Sequence, residues 1–513
     1  MVNKAGSGFW LAAVIAIIIV FCNLGSVPLL DPDEPVYAET PKEMLQFNDF
    51  ISPRIYGEYW YDKPPMYYWL VALAFQAFGI NEFAARFPTA LLSVVCVLAV
   101  YQAGRRLFNE RAGILGALVL ATSIEYIYLS KAAVTDITLT LFLTVSLLSF
   151  IRRNYTLFYI CAGLATVTKG PIGLLFPGGI VFFYLLLTRN FSLLRQMNLP
   201  RGIILFAIFG LPWYVIMIAW HGQAFVDTFF GFHNLTRFTS PEHPQLAVWY
   251  YFLPVLVIGF FPWTPLMIQA VWSALRKGRE KHKTLLFLTV WVSFIFLFFS
   301  VSSTKLVSYI LPLYPPLALI TGWYIDQLWD NYRNRRRYYS WAALTAAVTG
   351  VLLAGTVFGI RAMPELTAGL LAVAVLFGLM LVSVIYCLYK RQPGLAVGIK
   401  TGAMVVFTII LLNMILPAAA PGFTSIHIAR DFKAHYDGTS PVYIAKFLRP
   451  GFSFYTDTYG AAITAGNITA TVNQTGRAYF VLSRAEYKLL SAGERQKLAT
   501  LAVSANKLLL LRQ

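Results

Sequence analysis

Acidic side chains are scarce in this chain: 23 of its 513 residues, against 41 Lys and Arg. Charged residues of both signs together reach only 12%. A soluble globule of this length carries about a quarter of its residues charged, so that class is excluded. Cysteine is rarer still. Cys22, Cys96, Cys161 and Cys387 are the four, and all fall inside apolar runs. They read as small hydrophobes, which leaves no disulfide framework and no redox motif.

Apolar residues take the vacated share, at 58% hydrophobic and 16% aromatic. The composition is that of a polytopic α-helical membrane protein. Phe9 to Val27 follows a short stub with Lys4 and is longer than a signal-peptide core, with no small-residue cleavage site after it. It reads as a retained first helix. Counting runs of roughly 20 apolar residues gives about thirteen spans, the first near 9–28 and the last near 401–418.

A formal net charge of +18 suggests nucleic acid, but the placement of the cations argues against it. Arg105/Arg106/Arg111, Arg152/Arg153, Arg189/Arg195/Arg201, Arg276 to Lys283, Arg333 to Arg337 and Lys390/Arg391 recur at every second loop. That is the positive-inside pattern of a membrane protein. With Lys4 inside, the first loop, the 221–246 loop and the C-terminus fall on the outer side.

The outer side holds the unusual segments. From Asp31 to Pro65 the chain carries eight acidic and three basic residues, with many aromatics and prolines. Within this loop, taken as 31–82, Pro35–Phe47 and Met66–Phe78 read as helices lying along the membrane surface. After Pro421 the apolar runs shorten. Ile426–Tyr436 has helical periodicity, while 442–447, 478–482 and 508–511 read as strands. The expected division is a membrane domain over 1–420 and a small soluble α/β domain over 421–513, which shows no chemistry of its own.

Several constellations could carry chemistry. Asp33-Glu34 offers paired carboxylates, as a general base or an orienter of hydroxyls; acids that merely keep the loop outside are the plainer reading. Asp62-Lys63-Pro-Pro presents an ion pair on rigid backbone, suited to a lipid phosphate or simply to bracing a turn. Lys131 and Asp136, and Thr168-Lys169-Gly170-Pro171, place charges outside against the positive-inside trend. Phe232-His233 to Arg237-Phe238 sets His and Arg four apart, His243 follows, and Ser300 to Tyr309 brings Lys305 among hydroxyls. A lone loop histidine is ordinarily just solvated.

These residues, in this order, resemble the bacterial lipid A aminoarabinose transferase family, part of the membrane glycosyltransferases that use polyprenyl-phosphate sugars and include protein O-mannosyltransferases. Leu211-Pro-Trp213, Trp249-Tyr-Tyr251 and Pro262-Trp263 complete the set of motifs, which covers about 1–325. The resemblance implies a glycosyltransferase-C fold. It implies transfer of 4-amino-4-deoxy-L-arabinose from undecaprenyl phosphate to lipid A, at a site facing the periplasm of the bacterial inner membrane. A protein or another glycan as acceptor is the alternative. Asp33, Glu34 and Asp136 would be the catalytic carboxylates, and Lys63, Arg237, Lys305 and Tyr309 would line the donor-phosphate site. Asp62 and His233 match positions implied to hold a divalent metal such as zinc, which the chemistry does not require. The partners expected are the donor, the acceptor and membrane lipids, with no nucleic acid, and a single copy of the chain. Three positions depart from the family pattern: Val36 replaces its Arg, Asp62 its Glu, and Val307 the Pro after Lys-Leu. Val36 leaves the sugar and acceptor open. The competing class is a flippase or transporter; the chain shows neither the internal repeat nor the midplane charges common there. A scaffold would leave the carboxylate–cation cluster without a purpose.

Overall fold

The computed structural model describes residues 6–240, 245, 248–279, 282–330 and 335–512. Lys4, His243, Lys281 and Arg333 lie outside the described residues. The chain forms two compact units. One takes residues up to 22, 61–67 and 88–411; the other takes 23–60, 68–87 and 412–513. This differs from the boundary expected at 420, because most of the first loop packs with the C-terminal residues.

The first unit is helical. Among the described residues, five helices of the chain are long and apolar enough to cross a bilayer: Glu82–Leu107, Lys283–Val301, Arg335–Ala362, Pro364–Tyr389 and Pro393–Phe423. Two bent pairs raise the number to seven, Leu199–Gly210 with Pro212–Thr239 at 54° and Phe252–Gly259 with Thr264–Gly278 at 113°. Ser7–Phe21, Met66–Phe78, Asp136–Ile151 and Ile172–Thr188 are apolar but shorter. Some runs that look continuous in sequence are interrupted. The apolar run 112–130 is a helix Glu110–Ala121 followed by Ile124–Leu129. Between them the Thr122 and Ser123 hydroxyls donate back to the carbonyls of Leu118 and Val119, at 2.5 and 2.7 Å. Such bonds compete with the helix ladder and bend it.

Glycines let three helices approach backbone to backbone. A Cβ on Gly113 would lie 2.6 Å from the Tyr101 carbonyl oxygen, and one on Gly322 would lie 2.4 Å from the Gly116 nitrogen. Glu82–Leu107, Glu110–Ala121 and Tyr314–Asp330 therefore meet at small residues, the usual contact of helices in lipid.

The second unit combines the acidic loop with a mixed sheet. Arg54–Ile55 (β1) and Glu58–Tyr59 (β2) form a short hairpin. Val442–Ala445 (β3), Ala461–Ile463 (β4), Ala478–Ser483 (β5), Leu498–Ser504 (β6) and Lys507–Arg512 (β7) form a sheet of order β4-β3-β5-β7-β6. β3 pairs in parallel with β4 and β5, while β7 runs antiparallel to β5 and β6. Alternate residues feed two cores, Tyr479 and Val481 with Phe432 and Phe452, and Phe480 and Leu482 with Val472 and Leu490. Strand β5 is buried from Ala478 to Leu482 because it is covered on both faces.

The loop helix runs Asp33–Phe47, two residues longer at its start than expected. Asp33 and Glu34 place negative charge at its positive end, and Asn48 closes it in the left-handed region at φ 50°. Pro35 falls in the first turn, where a missing N–H costs nothing.

Candidate active site

Three acids fall within four residues at the start of the loop, and the fold treats them differently. The Asp31 carboxylate is buried and takes the Ser425 hydroxyl at 2.5 Å, while its own N–H donates to the Phe423 carbonyl at 2.7 Å. Burial pushes its pKa up to about 7, against Ser425 and the Lys507 ammonium, which pull it down. Glu34 is also buried. Both of its oxygens receive the Arg86 guanidinium, at 2.8 and 2.6 Å, and Arg86 goes on to the carbonyls of Leu24, Val27 and Pro28. Only Asp33, at the first position of its helix, is exposed. Glu34, expected among the catalytic carboxylates, is bound through both oxygens by the Arg86 guanidinium, which fixes the loop.

In the helical unit, the Asp62 carboxylate sits at the centre of a cation cluster. Its Oδ1 lies 2.8 Å from Lys63 Nζ, 2.6 Å from His233 Nδ1 and 3.5 Å from Arg237 Nη1. Burial pushes this carboxyl up, but Lys63, His233 and Arg237 outweigh it and hold it well below the usual carboxylate range. Burial lowers the Lys63 ammonium below an ordinary lysine; Asp62 supports it, while Arg237 and Lys169 lower it further. Lys169 belongs to the same field. Its Nζ donates to Asp136 Oδ1 at 2.6 Å and lies 5.1 Å from the centre of the Tyr309 ring. Three fixed cations therefore face two carboxylates, and the surplus is positive.

Local folding explains how these side chains converge. The helix Tyr155–Lys169 stops at Gly170, whose φ of +81° suits only glycine, and a Cβ there would press on Phe229 and Asn234. Those two residues belong to a π-helix, Val226–Thr236, that carries His233; the spacing of four to Arg237 suggested an ordinary turn. π-helical turns are rare and gather at functional sites. Arg237 follows directly, and its segment is laced to the next helix end. Ser303 N–H donates to the Phe238 carbonyl at 2.9 Å, and Thr304 N–H to that of Arg237 at 3.3 Å.

Two other out-of-place cations do something else. Lys305, expected at the donor phosphate, is buried, and its Nζ donates to the carbonyls of Phe299, Ser300 and Ser302 at 3.4, 2.9 and 2.8 Å. It ties off the helix Lys283–Val301, whose last carbonyls lack partners within the helix. Lys131 does the same for the helix Ser7–Phe21, donating to Val20 and Cys22 at 2.8 Å each.

Asp62 and His233 are the residues expected to hold a metal. Asp62 and His233 face each other at 2.6 Å, and among the described residues no third His, Cys, Asp or Glu completes a group. Lys63 and Arg237 crowd the same oxygen. A divalent ion wants more donors and fewer neighbouring cations.

Residues 62–220, which include Asp62, Lys63, Asp136 and Lys169, match the family described as Dolichyl-phosphate-mannose-protein mannosyltransferase. An uncharacterized protein of Aquifex aeolicus (strain VF5) is 33% identical over 354 residues, 67% of this chain and 69% of that one. The undecaprenyl phosphate-alpha-4-amino-4-deoxy-L-arabinose arabinosyl transferase of Edwardsiella ictaluri (strain 93-146) is 31% identical over 337 residues, 63% of this chain and 60% of that enzyme. The chain belongs to this family of membrane glycosyltransferases. The family fold extends to the end of the chain. ArnT from Cupriavidus metallidurans, solved bound to undecaprenyl phosphate, aligns with a TM-score of 0.82 over 99% of this chain and 98% of that one, at 22% identity. The fold is the expected glycosyltransferase-C type.

Sequence reasoning passed over two buried ionisable groups, Glu125 and Lys42. Glu125 accepts the Tyr314 hydroxyl at 2.5 Å, and Lys42 forms a buried ion pair with Glu39 and a second with the exposed Asp457. Lys42 and Glu125 stand in helical runs with no spacing to single them out.

Proposed function

We propose that this chain moves a sugar from a polyprenyl-phosphate donor to an acceptor on the periplasmic face of the bacterial inner membrane. The sugar proposed is 4-amino-4-deoxy-L-arabinose, the donor lipid undecaprenyl phosphate and the acceptor lipid A. The relatives' names support sugar and donor. The observation that carries the reading is the surplus of buried positive charge around Asp62 and Asp136, which calls for an anion. A phosphate oxyanion can share Lys63 as a point charge and Arg237 as a fork of donors.

The reaction proposed is direct displacement at the anomeric carbon. The bond from that carbon to the phosphate oxygen breaks, and polyprenyl phosphate leaves with the electron pair. Lys63 and Arg237 stabilise the charge that develops on it. An acceptor oxygen forms the new bond from the opposite side. If the acceptor is a phosphate of lipid A it attacks already ionised, and Asp33 orients it or the sugar. A hydroxyl acceptor would give its proton to Asp33 as general base. Asp136 holds Lys169 over Tyr309, which sustains the local field. The chemistry needs no metal. All proposed residues come from one chain, so a single copy suffices, and the proposed number of spans is about thirteen.

Mass spectrometry of a reaction containing donor, lipid A and purified protein tests the reading. Sugar-free undecaprenyl phosphate should accumulate in step with modified lipid A. Donor that changes membrane leaflet with its glycosidic bond intact would favour a flippase, and modification of a protein instead of lipid A would move the acceptor.

A further inference from the structure

The helix Asp33–Phe47 meets the C-terminal residues along one face. Glu39, Lys42, Glu43 and Gln46 stand at i, i+3, i+4 and i+7, which aligns them on one side of a helix. Lys42 is buried, with its Nζ 3.2 Å from Glu39 Oε2, 2.7 Å from Asp457 Oδ1 and 3.0 Å from the Phe454 carbonyl. The centre of the Phe454 ring lies 5.2 Å away. Glu39 is wholly enclosed, and its second oxygen has no hydrogen-bond partner. Glu43 accepts the N–H groups of Tyr56 and Gly57 at 2.5 and 2.9 Å, which folds the hairpin back onto the helix. Gln46 takes the Tyr459 hydroxyl at 3.0 Å. Asp33, Tyr37 and Met44, at i, i+4 and i+11, occupy a different face.

The approach to the helix is held from the same domain. Leu29 N–H donates to the Tyr455 hydroxyl at 2.9 Å, and Asp31 is bound by Ser425 and Phe423 as described. Burying charges is costly, and a buried pair adds little stability over an apolar contact of the same shape. A covering domain with no further task would dock on apolar side chains. What a buried Lys42–Glu39 pair adds is one allowed register, since a helix rotated or slid by a residue would leave Lys42 without its carboxylates.

We propose that Lys42 is a positioning residue for Asp33. With Glu39 and Asp457 it locks the helix in rotation and depth on the C-terminal domain, and the contribution of that domain to the reaction is to aim the Asp33 carboxylate. This rests on Asp33 being the first-loop acid of the proposed transfer.

The test compares full-length Lys42→Met, Lys42→Arg, Asp457→Asn and Asp33→Asn in lipid nanodiscs, measuring turnover and, separately, binding of sugar-free undecaprenyl phosphate. Small misplacements of a reacting group cost up to about a hundredfold in rate. Lys42→Met should therefore lose about ten- to a hundredfold in kcat while binding the lipid phosphate as wild type does, and Lys42→Arg should recover most of the loss. Asp457 is largely exposed (63%), so Asp457→Asn folds in any case and should show the same split in milder form. Wild-type kcat in folded Lys42→Met beside an inactive Asp33→Asn overturns the positioning role alone. So does a loss of kcat and lipid binding in parallel. Should Lys42→Met not fold, wild-type kcat in Asp457→Asn decides against it. An active Asp33→Asn would overturn the underlying assignment instead.

Discussion

Asp31, Asp33 and Glu34 show how much a side chain's surroundings decide. Each is a carboxylate in one short acidic run, yet two lie in inward-facing polar contacts and one is exposed. Asp33→Asn keeps shape and removes charge, so transfer should collapse while expression and donor binding hold; labelled sugar appearing in acceptor at the wild-type rate would refute its role. Glu34→Gln should act in another way. It leaves the buried Arg86 without its charge partner, and breaking a buried pair costs about 3–5 kcal/mol. Thermal unfolding should reveal that loss in stability, larger than any change in donor affinity. The lysines make the same point. Lys63 and Lys305 look alike in sequence, each an outer-side cation beside a turn. Lys305 is distinguished only by three carbonyls within reach of its ammonium, a fact about the end of a helix that no spacing reports.

At the scale of elements, the loop helices were legible because their causes are local. Acids at the start of Asp33–Phe47 and the proline pair before Met66–Phe78 set the boundaries. The π-helix around His233 was not legible, because its turns register as ordinary helical spacing. Broken spans were hidden likewise, since Thr122 and Ser123 are unremarkable residues inside an apolar run. The burial of Asp31 also makes a prediction about pH. The folded carboxyl of Asp31 titrates at about 7, above its ordinary 3.8. The folded state thus binds that proton more tightly than the unfolded chain, and the resulting stability is present at low pH and lost as pH rises toward 7. Lys507, which faces the carboxylate, and Glu34 alongside it oppose one another in setting that value. Asp31→Asn should flatten the dependence of Tm on pH between about 4 and 7 and raise Tm at pH 8 by several degrees. An unchanged pH profile in the variant would assign the dependence to other groups. The close helix contact offers a further check. Gly113→Val has no room beside the Tyr101 carbonyl and should cost about 1–3 kcal/mol of stability, read by thermal unfolding.

Across the whole molecule, alternation of arginine-rich and acid-rich loops gave one orientation, while the interleaving of the first loop with the C-terminal residues was beyond reach. Contacts such as Lys42 with Asp457 join residues more than four hundred positions apart. Neither segment carries a pattern that names the other. The orientation is testable with cysteines placed at Glu58 and Gly278, which should react with an impermeant thiol reagent from opposite sides of sealed vesicles. Reaction of both from one side would refute it. The central claim is that Lys63 and Arg237 hold the phosphate of a lipid-linked donor. Binding of sugar-free undecaprenyl phosphate to the purified chain isolates that contact from recognition of the sugar. A charge-assisted contact is worth roughly 1.5–3 kcal/mol, so Lys63→Ala and Arg237→Ala should each weaken binding about ten- to a hundredfold. The double variant should lose less than the sum if both touch one phosphate. Binding as tight as wild type in both single variants would contradict the account, and would leave the two cations as partners of Asp62 alone.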